Sequence, residues 1–261
     1  MHYSVSLIGT GNVAWHLSQA LEKAGHQVRE IYGRTPEHAE RVAEKLYDAQ
    51  VVTSLDFSES ESTVFLLCVS DDAIGRVADQ VILPDEDAVL CHTSGTQPLD
   101  LLAGRSHAGV FYPLQTFTRN HRLDLSTVPF CIEATNEPTR QVLVGIAQTI
   151  SRTVYLVDAQ ERKMLHVGAV FACNFTNHLL ALSKHLLAQE GLEFSLLKPL
   201  IRETFEKALE VADPAAVQTG PAIREDYQVI HAHLDYLQRT PHWQALYKLI
   251  TDSIVLLSRR G

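Results

Sequence analysis

The run Tyr3-Ser4-Val5-Ser6-Leu7-Ile8-Gly9-Thr10-Gly11-Asn12-Val13-Ala14 decides the fold class. Residues 3–8 have strand composition, and residues 9–14 spell G-x-G-x-x-A where the strand stops. Beyond it Val13, Leu17, Ala20, Leu21 and Ala24 recur at helical spacing, and Gly25 ends the helix. Gly9 permits a tight turn, Gly11 lets the backbone close on an anion, and Ala14 is small enough for helix to pack on strand. The free N–H groups and partial positive charge of the helix start then face a diphosphate. The motif predicts a dinucleotide site built from Gly9, Thr10, Gly11, Asn12 and Val13.

Working outward, the second strand, residues 28–32, ends on Tyr32-Gly33-Arg34-Thr35. NAD-binding chains place an acidic residue near this tip to hold the ribose hydroxyls. No carboxylate stands there, because Glu30 lies inside the strand. Arg34 can pair with a 2′-phosphate and stack on adenine, while Thr35 adds a hydroxyl and caps the next helix. Gly33, Arg34 and Thr35 therefore join the expected cofactor set and favour NADP(H) over NAD(H). That helix opens on Pro36 and buries Ala39, Val42, Ala43 and Leu46. Strand-like runs follow at 51–52, 64–69, 88–91, 110–111, 130–133 and 154–157. Val69, Ser70 and Ile74, where the central strand passes into its helix, complete the expected cofactor lining.

Strands alternating with helices predict a doubly wound parallel α/β sheet over residues 1–158. After Asp158 the period turns wholly helical, with helices expected at 159–190, 195–212, 222–237 and 242–257. Residues 159–261 are thus expected to form a smaller all-helical domain for substrate binding and dimerisation.

The chain has 261 residues, 46% hydrophobic and 20% charged, a globular composition that excludes a disordered or fibrous chain. Its net charge of −9 makes it a poor general binder of nucleic acid or anionic membrane, so neither is an expected partner. No unbroken apolar run nears the ~20 residues that span a bilayer. With no secretory leader read at the N-terminus, a cytoplasmic location is expected. Cys68, Cys91, Cys131 and Cys173 are far apart and form no C-x-x-C, which predicts buried, reduced thiols. The thirteen histidines show no H-E-x-x-H pattern, and no metal site is assigned.

The chemistry is expected on the first long helix. Lys163, His166, Asn174, Asn177 and His178 stand at offsets 0, 3, 11, 14 and 15 in an otherwise apolar run. At ~100° per residue they share one stripe. Such a stripe either hydrogen-bonds neighbouring helices or binds a polar substrate, with His166 placed for proton transfer near neutral pH. Cys91-His92-Thr93-Ser94-Gly95 follows a strand, at the sheet edge where ligands collect in this architecture. Tyr112-Pro113-Leu114-Gln115-Thr116-Phe117 is either a buried turn or a wall of the substrate crevice. Thr219-Gly220-Pro221-Ala222-Ile223-Arg224-Glu225-Asp226 opens a helix with adjacent opposite charges, as a plain loop with an ion pair or as part of the site.

Together GTGNVA (9–14), YGRT (32–35), VSDDAI (69–74), HTSG (92–95), YPLQTF (112–117), HVGAVFACNFTNHLL (166–180) and TGPAIRED (219–226) resemble a bacterial family. Its members are Rossmann-like proteins with a C-terminal helical domain of unassigned function, labelled NADP oxidoreductases. More distantly the layout is similar to pyrroline-5-carboxylate reductases, β-hydroxyacid dehydrogenases and prephenate dehydrogenases. In those, an NAD(P) domain precedes a helical domain that often dimerises and completes the active site. The β-hydroxyacid enzymes use a Lys–Asn pair at i, i+4, whereas Val167 stands four residues after Lys163 here.

The combined expectation is an NADP(H)-dependent oxidoreductase and homodimer. It would pass a hydride to or from a small carbonyl, imine or hydroxy-acid substrate between its domains. His166 would move the proton, Asn174 and Ser94 would orient the reacting group, and Gln115, Asn177, Arg224 and Asp226 would bind substrate. The rival expectation is an NADP(H)-binding sensor or assembly protein without turnover. A deazaflavin as hydride partner follows only from the family label.

Overall fold

The computed structural model describes residues 2–259. β1 (Ser4–Ile8) leads into α1 (Asn12–Lys23), then β2 (Gln27–Tyr32), α2 (Pro36–Ala43), β3 (Gln50–Val52) and β4 (Val64–Leu67). α3 (Ile74–Gln80), β5 (Val89–His92), β6 (Ala108–Pro113), β7 (Phe130–Ala134), α4 (Glu137–Ile150) and β8 (Val154–Leu156) follow. The strands form one eight-stranded sheet in the order β3-β2-β1-β4-β5-β6-β7-β8. β1 pairs in parallel with β2 on one side and β4 on the other, so the order reverses beside β1. The carboxyl ends of β1 and β4 flank the crevice where this architecture binds ligands.

Burial explains the composition of these strands. β4, β5 and β6 are buried along their whole length, so they read as continuous apolar runs rather than alternating ones. On β1, Val5 and Leu7 face one core with Leu17 and Leu21 of α1 and Leu143 and Ile146 of α4. Ile8 faces the opposite core with Phe65, Leu67, Ile74 and Leu90. Each fully buried side chain of this size stabilises by ~1.5–3 kcal/mol.

The sheet is mostly parallel, with one exception that periodicity did not foretell. β7 runs antiparallel to β6, with Phe111 opposite Ile132 and Tyr112 opposite Cys131. The connection 114–129 contains no helix long enough for a crossover, and β7 returns alongside β6 in the reverse sense. α4 is a further element absent from the sequence reading, although Leu143, Ile146, Ala147 and Ile150 form its buried face. Cys68, Cys91 and Cys131 are buried as expected, but Cys173 is exposed.

Beyond β8 the chain is helical. α5 (Ala159–Ala169) opens on a capping box, the Asp158 carboxylate accepting from the Glu161 amide at 2.8 Å and the Glu161 carboxylate from the Asp158 amide at 2.9 Å. It passes through a π-helical turn, Val170–Phe175, into α6 (Thr176–Gln189). Strands end before residue 158, while the two compact units are residues 1–178 and 179–261. Contrary to the expectation of no membrane-length segment, Ala159–Gln189 is long and apolar enough to cross a bilayer. The scattered polar residues of this helix interrupt any unbroken apolar run while leaving its mean hydropathy high.

The second unit adds α7 (Lys198–Glu210), α8 (Tyr227–Tyr236) and α9 (Pro241–Ser258). α8 starts at Tyr227, later than the expected 222. Asp226 caps it by accepting from the Val229 amide at 3.2 Å, and Glu225 before it is left-handed at φ 51°. Glu225 also pairs with Arg259 at 2.8 Å.

Candidate functional site

Two constellations lie at the carboxyl edge of the sheet. The first is the turn from β1 into α1. Gly9 sits at φ 126°, and a Cβ there would come within 2.4 Å of the Cys68 carbonyl oxygen. No side chain fits that position. Gly11 differs: a Cβ there would lie 3.8 Å from its nearest neighbour, an ordinary contact. The fold alone would accept a larger residue at Gly11, which leaves an open cradle over the helix start. α1 has no side-chain cap, so its first N–H groups stay available to an anion. Ala14 is fully buried against the sheet.

A cavity of about 500 Å³ extends from this turn. Gly9, Thr10, Gly11, Gly33, Arg34, Thr35, Val69 and Ser70, all expected in the cofactor set, line it. Asn12, Val13 and Ile74 do not: the Asn12 side chain donates to the Phe117 carbonyl at 2.8 Å, and Ile74 is buried in the core. Arg76 and His38 line it too and were missed. Their signal was a basic residue early in each helix that follows a strand tip. Among the described residues no carboxylate lines the cavity. Glu30 is turned away into a hydroxyl cluster, accepting from Ser60 at 2.8 Å, from Ser62 at 3.3 Å and from Ser6. The residues present thus fit a nucleotide carrying an extra phosphate better than one with bare ribose hydroxyls. Thr35 occupies the cap position of α2 without bonding it, so its hydroxyl is not committed there.

The second constellation joins β5, β6, β7 and α5. Arg162 is fully buried. Its guanidinium donates to the Ser94 carbonyl at 3.2 Å, the Gln97 carbonyl at 2.7 Å and the Glu133 carboxylate at 2.8 Å. One helical turn later His166 lies on the same face, its Nδ1 3.2 Å from the Tyr112 hydroxyl. Burial pushes the Tyr112 hydroxyl up to about 12, so it stays protonated. His92, fully buried, accepts from the Ser94 amide at Nδ1. Burial first, then the Arg162 charge, lower its pKa to about 4, and it is neutral at pH 7. Ser94 Oγ accepts from the Thr96 and Gln97 amides, both at 3.1 Å, and its own proton points to Thr96 Oγ1 at 3.4 Å. Thr96 in turn donates to Asp71 at 2.6 Å.

Arg162 links the Ser94 carbonyl to Glu133, and Gly95, next to Ser94, lies against His166 and Tyr112, so these residues share one constellation. The rest of the expected stripe holds only in part. The π turn takes up one extra residue, which rotates everything beyond it by ~100° relative to His166. That rotation carries Asn177 off the line drawn through Lys163 and His166, whereas Asn174 and His178 stay near it; all three side chains are exposed. Gln115 is exposed, with its side-chain oxygen accepting from the Thr116 amide at 2.7 Å. Arg224, exposed, and Asp226, committed to its cap, belong to the second compact unit.

A glycine turn at the end of β1, an uncapped helix start and a cation-lined cavity at the reversal of strand order define a dinucleotide-binding protein of the Rossmann type. The Rossmann-like domain family matches residues 1–116, and the domain of unknown function DUF2520 matches residues 128–254. The putative NADP oxidoreductase BF3122 from Bacteroides fragilis is 38% identical over 97% of this chain and 98% of its own, with a TM-score of 0.87. The chain belongs to this family of Rossmann-like proteins with a DUF2520 domain. Protein TM1727 from Thermotoga maritima shares the fold at 23% identity and TM-score 0.73, each chain covered to 98%. A reductive aminase from Aspergillus terreus, solved with NADPH and ethyl levulinate, shares it at 13% identity and TM-score 0.71, over 100% of this chain and 95% of that one. No curated protein matches the chain.

Proposed function

We propose that the protein is an NADP(H)-dependent oxidoreductase acting on a small carbonyl, imine or hydroxy-acid substrate. The observation that carries this reading is the carboxylate-free cavity at the Gly9–Gly11 turn, with Arg34 and Arg76 on its wall. The amides at the start of α1 would hold the diphosphate, and the two guanidinium groups the 2′-phosphate. The bound nucleotide supplies or accepts the hydride. His166 exchanges the matching proton with the substrate oxygen or nitrogen, and the Ser94 hydroxyl orients that atom. The oxidoreductase and reductase names borne by proteins of this fold point the same way.

The same reading makes the protein a homodimer. Met164, Phe171 and Phe175 on the first long helix are 58%, 66% and 50% exposed, an apolar surface suited to a second copy. Sedimentation tests this: a Phe171→Glu chain is expected as a monomer where the parent is a dimer, and a monomeric parent overturns it.

Calorimetric titration with NADPH and NADH is the test of the cofactor. NADPH is expected to bind at least tenfold tighter. No heat with either nucleotide overturns the reading. Small keto acids and cyclic imines are then screened for oxidation of NADPH. Tight binding without turnover of any of them would point to a sensor instead.

A further inference from the structure

We propose that Tyr112 is the positioning residue of His166: its hydroxyl engages Nδ1 and so reserves Nε2 as the nitrogen that exchanges a proton with the substrate. The proposal rests on the reading of His166 as the proton-transfer group and adds the device that makes it one. Tyr112 stands near the end of β6, 8% exposed, in a strand buried along its whole length. His166 comes from α5, which Arg162 ties to the Ser94–Gln97 turn and to Glu133 one helical turn earlier. Both partners are thus fixed to the sheet through different elements. Between them passes Gly95. A Cβ on Gly95 would fall 2.6 Å from Tyr112 Cζ and 2.8 Å from His166 Nδ1. The two rings close over a residue that has no side chain, and their 3.2 Å contact depends on it.

The chemistry of the contact follows from what each group can carry. A neutral imidazole has one N–H, on either nitrogen. In the proposed arrangement the Tyr112 hydroxyl, held protonated by its burial, donates to Nδ1 and the ring proton sits on Nε2. When the ring is charged, both nitrogens carry protons and the hydroxyl rotates to accept from Nδ1. One rotor serves both states, so the imidazole need not turn as it gains and loses its proton. The groups around the pair are compatible with this. Arg162 is neutralised by Glu133, His92 is uncharged, Cys131 lies opposite Tyr112 on β7, and Asp71 reaches the cluster through Thr96. None of them hydrogen-bonds Nδ1 in place of the tyrosine.

The test is the ¹⁵N spectrum of the histidine-labelled full chain without substrate, with His166 assigned by the loss of its signals in His166→Asn. The parent is expected to show a single Nε2–H tautomer at high pH. Tyr112→Phe, which keeps the ring and loses the oxygen, is expected to show a mixture of both. It should retain NADPH affinity and lose about tenfold to a hundredfold in kcat, the scale of a misoriented group. Gly95→Ala should produce the same spectral change by parting the rings. An unchanged tautomer in Tyr112→Phe overturns the proposal. So does a far larger loss of kcat with the tautomer unchanged, because Tyr112 would then itself be the proton donor. If His166→Asn keeps full turnover while the tautomer result holds, the proton-transfer reading fails and the pairing stands as structure alone.

Discussion

Replacing Arg162 with methionine isolates the contact that ties α5 to the sheet. The side chain is fully buried, and its guanidinium satisfies two carbonyl oxygens and one carboxylate. Methionine fills much of the volume but donates nothing. Glu133 is left as an unpaired carboxylate with 18% of its side chain exposed, and the Ser94 and Gln97 carbonyls lose their donor. Breaking a buried pair from one side costs ~3–5 kcal/mol. The partial solvent contact of Glu133 places this case at the lower end, about 3 kcal/mol. For a protein of this size that is a fall in Tm of ~6–12 °C. Scanning calorimetry reads it directly. The double variant Arg162→Met, Glu133→Leu removes the stranded charge and should recover about 1–2 kcal/mol, since the two orphaned carbonyls remain. A Tm within 2 °C of the parent for Arg162→Met would refute the argument. A double variant no more stable than the single one would refute the part assigned to the ion pair.

The glycine turn gives a paired prediction: Gly9→Ala should destabilise by at least ~2 kcal/mol through left-handed strain and the clash with Cys68. Gly11→Ala should melt within ~1 kcal/mol of the parent yet lose tenfold or more in NADPH affinity. Thermal melts and calorimetric titration of the two variants check both. Arg34→Ala and Arg76→Ala should each weaken NADPH about tenfold and leave NADH unchanged, a difference of ~1.4 kcal/mol that fits a solvent-exposed charged hydrogen bond. His92 makes stability depend on pH. Its folded pKa, about 4, lies below its unfolded value of 6.5, so between these values the unfolded chain binds the extra proton. Stability is then lost as pH falls through this window, by up to about 3 kcal/mol. Urea melts at pH 7 and 4.5 should show a smaller drop for His92→Gln than for the parent.

Much of the fold was legible because burial and period coincide. The glycine turn, the alternation through β5 and the helical stretch after Asp158 each follow from local chemistry. The direction of β7 was not legible. An apolar run on a buried strand is the same read either way, and the choice depends on what the 114–129 connection can span. α4 was readable from Leu143, Ile146, Ala147 and Ile150 and was passed over. The cap positions show the finer limit. Thr35 and Ser70 both stand at helix starts, yet neither side chain bonds the helix, whereas Asp158, Asn136 and Asp226 do.

The site divides along the same physical line. The cofactor cradle is local: its glycines and Arg34 lie near strand tips, where sequence order and spatial order agree. The proposed proton-transfer cluster is assembled from four elements; the sequence singles out His166 and Ser94 for chemistry, and Tyr112 only within a run read as a buried turn or a crevice wall. Tyr112, Arg162 and Glu133 come together through strand pairing across β5, β6 and β7, which spacing along the chain does not encode. The π turn explains the opposite error. Periodicity assigns Asn177 to the face of His166 only if every residue advances the helix equally, and one extra residue in Val170–Phe175 breaks that premise. The Thr176 hydroxyl, bonded to the Phe171 carbonyl five residues back, helps satisfy the backbone there. Such a turn costs regular hydrogen bonds and is kept mainly where the altered register serves a purpose. Before the turn His166 contacts Tyr112 of the sheet, while within it Phe171 and Phe175 present an exposed apolar surface. Phe171 and Phe175, five and nine residues beyond His166, stand on the opposite side of the helix by α-helical spacing alone, so the proposed proton-transfer face and the proposed contact with a second copy need no change of register between them.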